Sequence, residues 1–338
     1  MSAVSLTPRG RNFTRAIIAK TVGGTPNGLT DYARSRWGEH AAEAVTKAAI
    51  SPLTTTSLGV DGAKVEFHEQ IREASIYGRL SGLRRVEFGV RSNRITSGAT
   101  GHWVGQAKPK PISFAAVNGS TLESRKVAAI IVLTSESVKF AGAVTEAALQ
   151  RDLQRAVVDT WDEAFLDASN AGIPEEMPPS ITYGAPSSAS AGDPAADIAK
   201  LVADFDGDFG AAYFVTDPKT AAQLAMVRAG GTFVFPDVGP RGGSILGIPV
   251  LTSRASPRDA DGGQIALVDP TGITGADIAT EIGKSEHAAL QMDDAPDAEA
   301  GQLVSLWQSN LVAFKSEVFT NWEVQREGSV VVVTGVNY

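Results

Sequence analysis

The 338-residue chain has no cysteine. Disulfides, thiolate metal sites and cysteine nucleophiles are therefore excluded. Histidine is also scarce. His40, His68, His102 and His287 lie far apart, with neither an HExxH run nor paired-His spacing. They read as ordinary surface or core residues, not as metal ligands. No apolar run approaches the ~20 residues that a membrane span needs. The opening MSAVSLTPRGRNFTRAIIAK has basic residues but no continuous apolar segment and no small-residue cleavage site, so it is not a signal peptide. The expectation is a soluble protein made in a cytoplasm, with no membrane partner.

Catalytic motifs are missing as well. GGTPNG and GPRGG are glycine-rich but lack the Gly-Lys-Ser/Thr ending of a phosphate-binding loop. There is no GxSxG elbow. DFDGDFG (204–210) lacks the spacing and closing glutamate of a calcium loop and reads as a solvated turn. No nucleophile–base pair, metal set or cofactor site emerges, and the expectation is that the chain is not an enzyme.

Hydrophobic residues make up 43% of the chain, enough for a substantial core, and the net charge is -8. An acidic balance argues against a dedicated nucleic-acid reader. The charge is uneven. Residues 1–50 hold seven basic side chains and three acids, about +4, which leaves about -12 for the remainder. Two helical patterns, near 12–21 and 28–48, are split by GGTPNG. This arm reads either as a solvated extension or as a contact with a neighbouring subunit or an anionic partner.

From Arg84, two strand-like runs flank GHWVGQAKPKPISF (101–114). Lys108-Pro109 and Lys110-Pro111 cannot donate to a central ladder. A hairpin with both faces wet is marginal alone and must lie on something. AVTEAALQRDLQRAVVDTWDEAFLDAS (143–169) is the clearest helix. Leu149, Leu153, Val157, Trp161 and Phe165 form its apolar stripe, and Asp162 is among the polar residues on other faces. Residues 172–194 read as a loop. A mixed α/β region follows: a helix over 195–204, a strand at 211–215, an Asp217-capped helix running from Pro218 to a Gly-Gly stop, and a strand over 244–253. The chain closes with strand, acidic turn, long strand, and a buried strand at 328–336.

This order resembles the major capsid proteins of tailed bacteriophages, the Hong Kong 97 fold also used by encapsulin shells. WVGQAKPKPISF resembles the family's E-loop, TLESRKVAAIIVLTSESV the strand before its spine helix, DPKTAAQLAMVRAGGTFVF…GGSILGIPVLTS its A-domain, and SLWQSNLVAFKSEVFTNWEVQREGSVVVVTGV its closing segment. The resemblance implies an α+β capsid fold. It places an N-terminal arm at 1–57, a P-domain at 58–83 and 125–194 with its spine helix at 143–169, and an E-loop at 84–124. An A-domain follows at 195–286. Residues 287–338 supply closing strands, the last returning toward the A-domain.

The function implied is structural: hexamers and pentamers of an icosahedral shell around non-specifically packaged double-stranded DNA, in a virion assembled in the bacterial host cytoplasm. Implied partners are further copies of the chain, a portal, and separate scaffolding or decoration proteins. The alternatives are an encapsulin-type compartment or a mixed α/β enzyme. Many relatives carry a scaffolding segment before the arm; the Met1 start suggests an unprocessed short form. The resemblance puts Trp103, Lys108, Pro109, Lys110 and Pro111 at an intersubunit E-loop tip. Asp293, Asp294, Asp297 and Glu299 fall on an intersubunit P-domain turn, and Arg9, Arg11 and Arg15 on an interior basic arm. Some relatives cross-link an E-loop lysine to a P-domain asparagine with a glutamate's help. The matching run LVSLWQSNLV (303–312), read as strand, contains no acid and has Gln308 near that place, so no such cross-link is expected.

Overall fold

The computed structural model describes residues 15, 19, 26–39, 42, 61–97, 102–104, 106, 116–139, 143–293 and 303–338. The chain divides into two compact units. One comprises residues 1–75, 127–160 and 278–319; the other comprises 76–126, 161–277 and 320–338.

In the first unit, the arm helix Pro26–Trp37 begins inside GGTPNG rather than after it. Proline suits a first helical turn because its missing N–H would be unpaired there anyway. The helix breaks at Gly38, whose φ is 84°. Ala19, Ala33 and Ala42 form a small buried cluster with Tyr32 and Trp37 packed on it. Helix Asp61–Ala74 is held to the long helix by Gln154 Nε2, which donates to the Gln70 carbonyl at 3.1 Å. Strands Ala289–Gln291 and Leu303–Ser305 pair antiparallel.

The long helix spans Ala143–Leu166, about 36 Å at 1.5 Å per residue. Leu153, Val157, Trp161 and Phe165 are buried as the stripe predicts, but Asp162 is fully buried too. An i+4 row drifts around a 3.6-residue helix, and by the last turn Trp161, Asp162, Phe165 and Leu166 are all covered. The helix ends three residues short of 169. Its final carbonyls have other donors: Ile181 N–H reaches Phe165 O at 3.0 Å, while Thr182 Oγ1 and Gln264 Nε2 each reach Leu166 O at 2.7 Å.

The second unit is built on a seven-stranded mixed sheet. Its order is Ser187–Ala189, Val330–Val336, Gly263–Val268, Tyr213–Thr216, Ile248–Thr252, Gly242–Ile245, Val238–Gly239. The valine run at 330–333 is fully buried near its centre and pairs antiparallel with Gly263–Val268. Ser187–Ala189, inside the expected loop, adds a parallel edge strand. Helices Pro194–Asp204 and Pro218–Met226 each start at an aspartate cap followed by proline. Phe214, Leu201, Leu224, Ile265 and Val333 lie in the apolar core beneath them.

Two local readings change. The helix after Pro218 stops at Met226, and Gly230-Gly231, φ 57° and 87°, turn a small hairpin pairing Arg228–Ala229 with Thr232–Phe233. The 244–253 run is two strands, not one. Leu246 and Gly247, φ 54° and 80°, make the tight turn between them, and positive φ at both central residues matches the right-handed twist of the flanking strands.

Strands Arg91–Ser97 and Ala116–Thr121 form a two-stranded antiparallel sheet of their own. A four-stranded sheet has the order Arg84–Arg85, Ile273–Ser285, Leu311–Val324, Arg125–Thr134. The run 303–312 is not one strand: Leu303–Ser305 leads into a turn closed by Leu311 N–H on the Leu306 carbonyl at 2.8 Å, with Asn310 at φ 51°. Gln308 is therefore a turn residue.

Candidate functional site

The buried carboxylates of the second unit would be the natural place to look for chemistry. Each is occupied by fold-holding partners. Asp162 accepts from Ile76 N–H at 2.8 Å and from the Ser253 hydroxyl at 2.6 Å. Asp217 caps its helix through Thr220 N–H at 3.0 Å and pairs with Arg258 at 2.9 Å. Asp269 takes Thr271 N–H at 2.9 Å, Asp208 N–H at 2.7 Å and the Arg326 guanidinium. This explains DFDGDFG as a turn clamped from Asp269. Asp277 pairs with Arg85 at 2.5 Å and accepts from the Tyr77 hydroxyl at 3.3 Å.

Asp197 accepts from Ala191 N–H at 2.7 Å, Tyr338 Oη at 2.8 Å and the Ser190 hydroxyl. Burial pushes its carboxyl up, but these hydrogen bonds and Lys200 outweigh burial and hold it below the usual carboxylate range. The same contact, with burial first among the causes, drives the Tyr338 phenol upward. These groups act as caps and clamps. Among the described residues no group of three or more His, Asp or Glu could hold a metal ion. No helix among them is long and apolar enough to cross a membrane.

The large apolar side chains left outside are more telling. Trp161 and Trp322 are buried with Tyr77 and Phe165 in one aromatic cluster, with ring centroids 5.0 Å apart for Tyr77–Trp161 and 5.1 Å for Phe165–Trp322. Two other tryptophans point to solvent: Trp103 is fully exposed and Trp307 is 71% exposed, with Leu303 exposed beside it in sequence. Tryptophan is enriched in the few residues that dominate protein–protein contacts. Among the described residues, Trp103 and Trp307 therefore leave exposed a residue type suited to protein contacts.

Of the residues expected at the E-loop tip, the described residues include Trp103; Lys108, Pro109, Lys110 and Pro111 lie outside them. Of the acidic turn, Asp293 is described and exposed; Asp294, Asp297 and Glu299 lie outside. Arg9 and Arg11 also lie outside. Arg15 is described, its guanidinium 5.4 Å from the centroid of the Trp37 ring. The sequence alone does not single out Trp307, because its run reads as a strand. The polar Gln-Ser-Asn that follows it is a turn signal that would have exposed it.

An α+β chain with a long helix, a separate two-stranded sheet and a seven-stranded mixed sheet has the Hong Kong 97-type fold of phage capsid proteins. The chain matches the sequence model of the phage capsid family over residues 68–335, and it belongs to that family. It is 33% identical over 319 residues to a capsid polyprotein of Pseudomonas phage PAJU2, covering 87% of this chain and 48% of that one. It thus spans about half the length of that curated relative. Solved structures share the fold at lower identity. A chain of Gordonia phage Cozz has a TM-score of 0.56 at 18% identity, covering 84% of this chain and 97% of that one. A chain of Microbacterium phage Oxtober96 gives 0.57 at 15%, covering 77% and 91%. The capsid of a native GTA particle gives 0.53 at 14%, covering 89% and 97%.

Proposed function

We propose that the chain is the structural major capsid subunit of an icosahedral phage shell, assembling as hexamers and pentamers around double-stranded DNA. The observation that carries this reading is the family match over residues 68–335. The exposed Trp103 and Trp307 support it, because each leaves surface that a second copy would cover. Assembly takes place in the host cytoplasm and the product is a virion component. A portal, separate scaffolding or decoration proteins and non-specifically bound DNA complete the particle. Arg9, Arg11 and Arg15 face that interior, where phosphate neutralisation makes contact salt-sensitive.

At the shell's threefold positions, Lys108 and Lys110 pair with Asp293, Asp294, Asp297 and Glu299 of neighbours in place of a covalent link. Each exposed pair contributes ~0.2–1 kcal/mol, repeated at every symmetry-related site. Negative-stain microscopy and sedimentation of the purified chain test the reading. Closed shells or capsomers with nuclease-protected DNA are expected; a stable monomer across salt and concentration overturns it. For the ion pairs, lysine-to-glutamate reversal lowers shell stability and acid-to-lysine reversal in the same chain restores it. A double reversal no better than either single one would reject the pairs while leaving the shell intact.

A further inference from the structure

The second unit also carries a groove of about 440 Å³. One wall is helix Pro194–Asp204, which presents Ala195, Ile198, Ala199 and Val202. That i, i+3, i+4, i+7 spacing is the apolar stripe of an amphipathic helix. Ile198 belongs to the unit's own core, whereas Ala199 is exposed and Val202 half-buried. Facing them are Val234, Phe235 and Leu246. Leu246 is the clearest sign that this surface expects a partner. It occupies the first central position of a tight turn at φ 54°, where asparagine or glycine costs least, and it is 75% exposed. The turn gains nothing from leucine there, but an apolar contact would.

The hairpin immediately before this wall has the opposite shape and charge. Met226 is 67% and Phe233 43% exposed. Arg228 stacks its guanidinium 4.3 Å from the Phe233 ring centroid. No acid occurs between 226 and 236. The groove in turn contributes Asp237, which has no ion pair among the described residues. Apolar knobs with one cation thus match an apolar groove with one anion.

We propose that the 226–233 hairpin of one copy seats in this groove of the next, with Phe233 and Met226 against Ala199, Val202 and Leu246 and Arg228 toward Asp237. The occupant is a second copy because the chain itself carries the complementary surface. Two different patches meet, so the contact is head-to-tail, the kind that closes into rings. This rests on the shell reading, whose hexamers and pentamers need such a contact.

The absence of cysteine makes the test direct. Single-cysteine variants Ala199→Cys and Phe233→Cys are mixed before assembly, one carrying a tag, and oxidised with copper phenanthroline. The expected result is a disulfide heteropair in the mixture and no cross-link in either variant alone. Leu246→Asp is expected to cut the yield of assembled particles at least tenfold. Arg228→Asp is expected to do the same, with partial recovery when Asp237→Arg is added. Shells that form with no heteropair overturn this contact and leave the shell reading standing. A cross-link in Ala199→Cys alone, marking a two-fold groove-to-groove contact, also overturns it. A heteropair from a chain that never forms shells supports the contact and sinks the shell reading instead.

Discussion

Asp162 gives the sharpest test of how the second unit is held together. The carboxylate is fully buried on the last turns of the long helix. It fixes two other segments at once, through Ile76 N–H at 2.8 Å and the Ser253 hydroxyl at 2.6 Å. In Asp162→Ala both donors lose this acceptor. An orphaned buried donor costs about 1–3 kcal/mol, so losing both should cost about 2–6 kcal/mol. Asp162→Asn keeps an acceptor for Ile76, and the Ser253 hydroxyl can rotate to accept from the new amide. Its cost is therefore about 1 kcal/mol, the loss of charge assistance. Urea unfolding of the unassembled subunit measures this. The buried Trp161 and Trp322 report locally by fluorescence. With a slope of about 2–3 kcal/mol/M, the alanine variant should shift the local midpoint by about 1–3 M and the asparagine variant by less than half as much. Equal shifts in the two variants would show that the negative charge, lost in both, and not the two hydrogen bonds that asparagine keeps, gives Asp162 its role. An alanine shift below about 0.3 M would refute any role.

Three further outcomes follow from the same geometry. Trp307→Ala, at a side chain 71% exposed, should leave subunit stability within about 0.5 kcal/mol of the parent while reducing assembly; a large stability loss with normal particle yield would reverse the assignment. Because Asp197 is held below its unfolded value near 3.9, its contribution is present above that pH and is lost as pH falls through the lower folded value. Asp197→Asn should therefore flatten the urea midpoint between about pH 5 and 2.5, and an unchanged profile would dismiss the Tyr338–Asp197–Ser190 network as the cause. Gly247→Ala should cost about 1–2 kcal/mol through backbone strain alone, since φ is 80° and an added Cβ meets nothing within 4 Å; a neutral result would mean the turn relaxes to another type.

The features legible in the sequence are those that a single periodicity decides. The long helix could be read because Leu153, Val157, Trp161 and Phe165 recur every four residues and stay buried. The last strand could be read because four consecutive valines fit a ladder covered on both faces. Where a residue serves two structures equally, the pattern gave the wrong one. Gly230-Gly231 suits a helix stop and a hairpin turn alike, because both need positive φ. Leu246-Gly247 lacks the asparagine that signals a tight hairpin, so two strands looked like one. Ser187–Ala189 is too short and too small-chained to alternate. Asp162 shows a different limit. Polarity placed it outside, yet the drift of the stripe and two distant donors, at Ile76 and Ser253, bring it inside. A single helix pattern cannot contain residues 86 and 91 positions away.

The same distinction bears on function. A catalytic carboxylate must keep an oxygen free for substrate. Here Asp162, Asp197, Asp217, Asp269 and Asp277 spend theirs on backbone N–H groups, hydroxyls and arginines that join distant segments. The polar interior is thus committed to rigidity. The apolar surface is the part left incomplete: Trp103, Trp307, Met226, Phe233 and Leu246 all face solvent. Aromatic and long aliphatic side chains gain from burial roughly in proportion to area, ~25 cal/mol per Å². Among the described residues, these five buried carboxylates are satisfied and the exposed large apolar side chains are not, so the free energy still to be gained lies at contacts with other chains. That is what the proposed shell subunit requires, and it makes Trp307 and Leu246, rather than any of these buried acids, residues whose substitution should separate folding from assembly.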